Sequence, residues 1–262
     1  MNDIKKVLSA FASHGWRAPL HILSALRRRW LAWRTYRAIS DAGAAQDLRS
    51  AFSLIYDKRW WDAGGESASG PGSTLQFTQP FRIQFQDLLS RRNIRTLLDA
   101  PCGDWNWMKE VQFPENMNYV GGDIVPQIIE RLRGTYSRGD RNFILLDITR
   151  DDLPEADLWL CRDCLAHLSY ADVRRALENF ARSKIPYALV SNYIQRDANV
   201  DIASGGFRAL DLRLAPFYLP EPAIKINDWP DDDTVRQVCL WSREQVASAL
   251  ANVATTKALL RS

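Results

Sequence analysis

Three apolar runs in this chain end in an aspartate at a fixed interval. They are Arg95-Thr96-Leu97-Leu98-Asp99, Tyr119-Val120-Gly121-Gly122-Asp123 and Phe143-Ile144-Leu145-Leu146-Asp147, so each acid stands 24 residues after the last. Runs this short read as buried strands, and the spacing leaves room for one crossover between neighbours. Pro101-Cys102-Gly103 follows the first acid, and such a turn lets the backbone approach a ligand. Asp123 lies 20 residues after Gly103, where a mononucleotide-type βαβ unit places the acid that binds ribose hydroxyls. The turn is not Gly-x-Gly-x-x-Gly, so no pyrophosphate cradle is visible. A nucleoside without phosphates fits better than a dinucleotide.

The alternation extends along the chain. Strands are expected at 94–99, 118–122, 142–146, 157–161 and 186–191, with a last strand at 236–241. Helices are expected at 79–91, from near Asp104, at 126–136, at 170–183 and from Ser242. Strands alternating with helices at this spacing predict a doubly wound α/β fold with a parallel sheet. Residues 63–74 are a loop of small residues, and 199–233 are rich in loop-forming Gly and Pro. In an open α/β sheet the carboxyl ends of the strands line the ligand crevice. Asp99, Asp123 and Asp147 at three successive ends therefore point to a nucleoside site.

Charge divides the chain. Residues 1–40 hold eight Lys/Arg against one acid, a local +7, so the rest carries −4 of the net +3. Residues 18–38 read as a helix with Leu20, Leu23, Leu26, Trp30 and Trp33 on one stripe and arginines around it. A stripe of that size must be covered, by an anionic membrane surface, by the body of the protein or by a protein partner. The domain reading is a basic amphipathic arm (1–46), a flap and lead-in helix (47–92), and a catalytic domain (93–262) with an acceptor-side insertion at 192–233. No run approaches the roughly 18 apolar residues of a membrane span, and the stretch after Lys5-Lys6 is too short for the usual signal peptide. Cys102, Cys161, Cys164 and Cys239 lie in or beside apolar segments, as reduced cytosolic thiols do. The expected location is the cytoplasm, with residues 18–38 a candidate for peripheral contact at the inner membrane face.

Leu97-Leu98-Asp99-Ala100-Pro101-Cys102-Gly103-Asp104-Trp105-Asn106-Trp107-Met108, Gly121-Gly122-Asp123-Ile124, Leu145-Leu146-Asp147-Ile148 and Leu160-Cys161-Arg162-Asp163-Cys164-Leu165-Ala166-His167-Leu168 together resemble class I S-adenosylmethionine-dependent methyltransferases. The turn is similar to that of a bacterial subgroup with Pro-Cys-Gly-Asp, often found beside polysaccharide-synthesis functions. Pro101 and Trp105 stand where the family usually has the first and third glycines of Asp-x-Gly-x-Gly-x-Gly. The resemblance covers roughly residues 50–250 and implies a mostly parallel, seven-stranded Rossmann-like sheet with a helical N-terminal extension. It implies S-adenosylmethionine as cofactor. Asp99, Ala100, Pro101 and Gly103 would line its methionine part. Asp123, followed by Ile124, would take the ribose diol, and Asp147 and Ile148 would flank the adenine. Cys161 and Arg162 would touch the cofactor after the fourth strand, and Trp105 would either face the sulfonium or pack the first helix.

Asp163 and His167, four apart at a helix start, can share one helix face. Methyl transfer is a displacement that mainly needs alignment, but a hydroxyl acceptor also needs a base, and His167 is the natural one near neutral pH. Asp163 is the alternative. Cys161-x-x-Cys164 lacks a second ligand pair, so no metal is expected. The implied function is methyl transfer to a small molecule or glycan, at oxygen. Its rivals are an NAD(P)-dependent Rossmann oxidoreductase and an inert cofactor-binding scaffold of a membrane-associated glycan-assembly complex. No nucleic-acid partner is expected, because the body is acidic.

Overall fold

A computed structural model of the chain describes residues 47–194, 198–229 and 235–259, with side chains of the last helix described to Val253. The basic arm, with its expected helix at 18–38, lies outside the described residues.

Seven strands form one sheet: β1 (Thr96–Asp99), β2 (Asn118–Asp123), β3 (Arg141–Leu145), β4 (Leu158–Cys161), β5 (Tyr187–Tyr193), β6 (Ile224–Asn227) and β7 (Arg236–Ser242). Their spatial order is β3-β2-β1-β4-β5-β7-β6. The first five run parallel, and β7 inserts antiparallel between β5 and β6. The order reverses between β1 and β4. A crevice opens at such a switch point, beyond the carboxyl ends of the strands. The sheet is therefore α/β and mostly parallel, with seven strands as expected.

Helices α2 (Leu75–Arg91) and α3 (Pro126–Tyr136) cover one face, and α4 (Tyr170–Arg182) and α5 (Arg243–Leu259) cover the other. The strand pleat sorts side chains between the two layers. Leu97 and Leu160 enter the layer under α2, while Leu98 and Cys161 enter the layer under α4. Thr74 caps α2, its hydroxyl accepting from Phe77 N at 3.3 Å, and Pro126 opens α3 with the fixed φ a first turn favours. A shorter helix, α1 (Leu48–Asp57), is capped by Asp47, whose Oδ2 accepts from Ser50 N at 3.0 Å. Its buried side, Ala51 and Ile55, packs with Phe52, Trp60 and Trp61.

Two expectations need correction. No α-helix starts at Asp104; residues after the turn make only a 3-10 turn at Met108–Glu110. The reason is local. Gly103 and Trp105 both take left-handed backbone, with φ of 54° and 61°. Asp104 Oδ1 accepts from Asn106 N at 3.2 Å, which favours a turn over a helix. Within the loop-rich insertion, β6 was not anticipated. Its four residues carry too little alternation to stand out, and its place is set by pairing with β7.

Candidate active site

A cleft of about 1050 Å³, counting its open mouth, lies beyond the ends of β1, β2 and β4. Helix α1 and the loop through Ala68, Ser69 and Ser73 close its near side. That loop is stitched to the turn after β1. Ala68 N donates to Asp104 Oδ2 at 2.7 Å, Asp104 N to Ser69 Oγ at 2.8 Å, and Asn106 Nδ2 to Ser73 O at 3.1 Å. A Cβ at Gly103 would fall 2.5 Å from Ser69 Oγ, so the turn accepts no side chain there. The small-residue loop thus forms a fixed wall.

The three strand-end acids are all buried, and all face the cleft. Asp123 is held by backbone on both oxygens: Oδ2 accepts from Gly103 N and Oδ1 from Val125 N, each at 3.0 Å. Burial raises its pKa to about 6, against the pull of those amides. Asp99 accepts from Tyr119 Oη at 2.6 Å, and burial raises it to about 7. Asp147 accepts from Thr149 N at 2.9 Å and Thr149 Oγ1 at 2.6 Å, and pairs with Arg150 at 3.0 Å. Pro101, Gly103, Ile124, Ile148, Arg162, Asp163 and His167 share the same wall.

Three residues named from the sequence lie elsewhere. The left-handed turn carries the Trp105 ring to the far side, where it is 2% exposed. There it meets Tyr119, Tyr136 and Phe143, and the Arg141 guanidinium lies 4.3 Å from its centroid. It packs against strand and α3 aromatics, not within a first helix, since no α-helix follows the turn. Cys161 points into the layer under α4, by the alternation of β4. Ala100 is buried in the same layer, and its carbonyl accepts from Trp159 Nε1 at 2.8 Å. In exchange the cleft gains Phe52, Tyr56 and Trp61 from the α1 region, together with Trp107, Thr149 and Cys164. Only Trp107 and Cys164 sat in motifs the sequence marked; the aromatics near α1 carried no signal beyond belonging to the flap.

Asp163 and His167 are both on the cleft wall, but not on one helix face. Asp163 takes left-handed backbone at φ 53°, and His167 ends a 3-10 turn, Leu165–His167. Asp163 instead pairs with Arg236 Nη1 at 2.5 Å and accepts from Tyr193 Oη at 3.3 Å. Arg236 Nε also faces Asp228 Oδ2 at 2.8 Å, and Asp228 Oδ1 pairs with Arg162 at 2.7 Å. This is a chain of alternating charges, of which Asp163 reaches the cleft most fully. Burial works against its charge, but Arg236, with His167 and Arg162, outweighs it and holds the carboxyl well below the usual range. His167 Nδ1 lies 2.8 Å from Gly206 O. A carbonyl can only accept, so Nδ1 carries the proton and Nε2 keeps its lone pair. The ring sits between Trp61 at 4.6 Å and Phe207 at 5.4 Å. Burial lowers its pKa, partly offset by Asp163, so the imidazole is neutral near pH 7. Among the described residues no group of three or more His, Cys, Asp or Glu is placed to hold a metal ion.

No family model matches the chain, and none of the curated proteins does. Solved structures do. Magnesium protoporphyrin IX methyltransferase (ChlM) from Synechocystis PCC 6803, with bound SAH, aligns at a TM-score of 0.53 and 11% identity over 74% of this chain and 97% of that one. The fold is that of the class I S-adenosylmethionine-dependent methyltransferases. The Burkholderia thailandensis 1,6-didemethyltoxoflavin-N1-methyltransferase, with bound S-adenosylhomocysteine, aligns at 0.51 and 16% identity over 78% of this chain and 89% of that one. Human N-acetylserotonin methyltransferase in complex with SAM aligns at 0.50 and 15% identity over 90% and 69%.

Proposed function

We propose that the chain transfers a methyl group from S-adenosylmethionine to an oxygen atom of a small-molecule or glycan acceptor. The observation that carries the reading is His167, its Nδ1 2.8 Å from Gly206 O, on the wall of a cleft that also holds the backbone-clamped Asp123.

The residues suit the cofactor. Both Asp123 oxygens are oriented by amides and keep lone pairs for a diol, and hydroxyl-to-carboxylate bonds are the stronger, charge-assisted kind. Gly103 brings the backbone of the turn after β1 up to Asp123 at the end of the neighbouring β2. Ile148 and Leu146 give an apolar seat beside Asp147 for a flat base. When bound, S-adenosylmethionine supplies a methyl group already activated for displacement, so the chain's task is alignment and proton removal. His167 Nε2 takes the acceptor's proton. Asp163, ionised through Arg236, stabilises the imidazolium that results. Trp61 and Phe207, against the imidazole, offer flat apolar faces to a sugar or ring acceptor.

The test is a transfer assay with labelled S-adenosylmethionine against hydroxylated small molecules and sugars, scored for product in wild type and His167→Ala. Cofactor that binds without transfer to any hydroxyl acceptor overturns the oxygen reading.

A further inference from the structure

Two residues behind His167 leave hydrogen-bonding atoms buried and unpaired. Arg208 is 7% exposed. Its Nη1 donates to Leu165 O and Ala166 O, at 3.1 and 3.0 Å, while Nε and Nη2 have no partner. Those two nitrogens form the side edge of the guanidinium, the edge that matches two oxygens of one carboxylate or phosphate. The Tyr170 hydroxyl is also buried without a partner, and the Arg208 guanidinium lies 5.3 Å from the Tyr170 ring centroid. No acid within the described residues pairs with Arg208. Asp201 acts on the charge of both residues, but its Oδ1 accepts from Tyr170 N and Ile202 N instead.

A buried guanidinium with two of its three nitrogens idle is expensive, and the fold keeps it in place by hydrogen bonds. Arg208 N itself donates to Ala166 O at 3.0 Å. Two residues earlier, Gly206 O fixes the His167 ring, and Phe207 between them packs on it. One short segment therefore holds the candidate base and, next to it, an unneutralised cation. Burial lowers the Arg208 pKa only to about 10, so it stays charged at neutral pH.

We propose that the Arg208 Nε–Nη2 edge and the Tyr170 hydroxyl form a subsite for an oxyanion, a carboxylate or phosphate group on a small ligand. Calling that ligand the methyl acceptor rests on the methyltransferase reading; the anion site itself does not.

The experiment is calorimetry on the full chain in chloride buffer, titrating inorganic phosphate and, separately, acetate, with S-adenosylhomocysteine binding measured in parallel. Wild type should bind at least one anion saturably, and the stronger of the two names the class. Tyr170→Phe removes one hydroxyl and keeps the ring; it should weaken that anion about three- to tenfold. Arg208→Gln should abolish it. S-adenosylhomocysteine affinity should stay within about twofold in both variants, which reports an intact fold. No saturable anion binding in wild type, or Tyr170→Phe binding as wild type does, overturns the subsite. Anion binding without any S-adenosylhomocysteine binding in wild type supports the subsite and removes the methyltransferase reading.

Discussion

The amide of Gly103 donates to Asp123 Oδ2 at 3.0 Å, tying the turn after β1 to the acid ending β2. One contact thus sets both the path of the backbone that faces the ligand and the orientation of the carboxylate. Asp123→Ala removes the clamp and, with it, the proposed acceptor for the ribose hydroxyls. Cofactor affinity should drop about tenfold or more by calorimetry, the scale of one or two charge-assisted bonds. Unchanged affinity in a folded variant would remove the ribose assignment.

The same acid gives cofactor binding a pH dependence. The ionised carboxylate is the form that accepts from hydroxyls, and its pKa is raised to about 6. Affinity for S-adenosylhomocysteine should therefore fall roughly tenfold per unit below that value. The effect on the unliganded fold has the opposite sign. A carboxyl raised above 3.8 holds its proton more tightly folded than unfolded, so Asp123 and Asp99 favour the fold at low pH. That contribution is lost as pH rises through about 6 and about 7. The melting-temperature rise caused by S-adenosylhomocysteine should grow between about pH 5 and 7. A constant increment across that window would contradict the assignment.

His167→Ala should lower kcat about 10²- to 10⁴-fold and leave cofactor affinity nearly intact. In wild type, kcat should decline toward acid pH. The lowered imidazole pKa places that decline below the ordinary histidine range. Wild-type turnover in the variant moves the base to Asp163 or to none.

Gly72 faces Asp163 so closely that an added Cβ would lie 2.4 Å from Oδ2. Gly72→Ala should displace the carboxylate from Arg236 or push the wall outward. Misplacement on that scale predicts a loss of kcat of about ten- to a hundredfold in a protein that still unfolds cooperatively. Full activity would show that Asp163's position is not critical.

Trp105 separates packing from chemistry. Trp105→Ala should cost about 3–5 kcal/mol in urea unfolding, since it empties a site ringed by aromatics. Trp105→Phe should keep cofactor affinity. A large affinity loss in the phenylalanine variant would restore a sulfonium contact.

The sheet was legible because buried parallel strands must be short apolar runs, and these end in acids at the ligand edge. Asp99, Asp123 and Asp147 could be found that way, and His167 by its spacing from Asp163 beyond the fourth strand. The direction of a side chain after a strand was not legible. Trp105 and Cys161 stand within a few residues of cleft-lining neighbours, yet left-handed backbone turns one away and strand alternation the other. Asp228 and Arg236 were invisible for another reason. Their meaning lies in partners 66 and 73 positions back, Arg162 and Asp163, which no local pattern links. Arg208 escaped likewise, as one arginine in a stretch without periodicity.

The place of β7 between β5 and β6 also fixes when the cleft becomes whole during synthesis. A nascent chain that has emerged as far as residue 223 already holds the three strand-end acids, the turn at Gly103 and His167, but not Asp228 or Arg236. Until the last two strands slot in, Arg162 lacks Asp228 and Asp163 lacks the guanidinium of Arg236. The growing polypeptide therefore carries the residues of the strand-end wall before it gains the two charges that pair with Arg162 and Asp163.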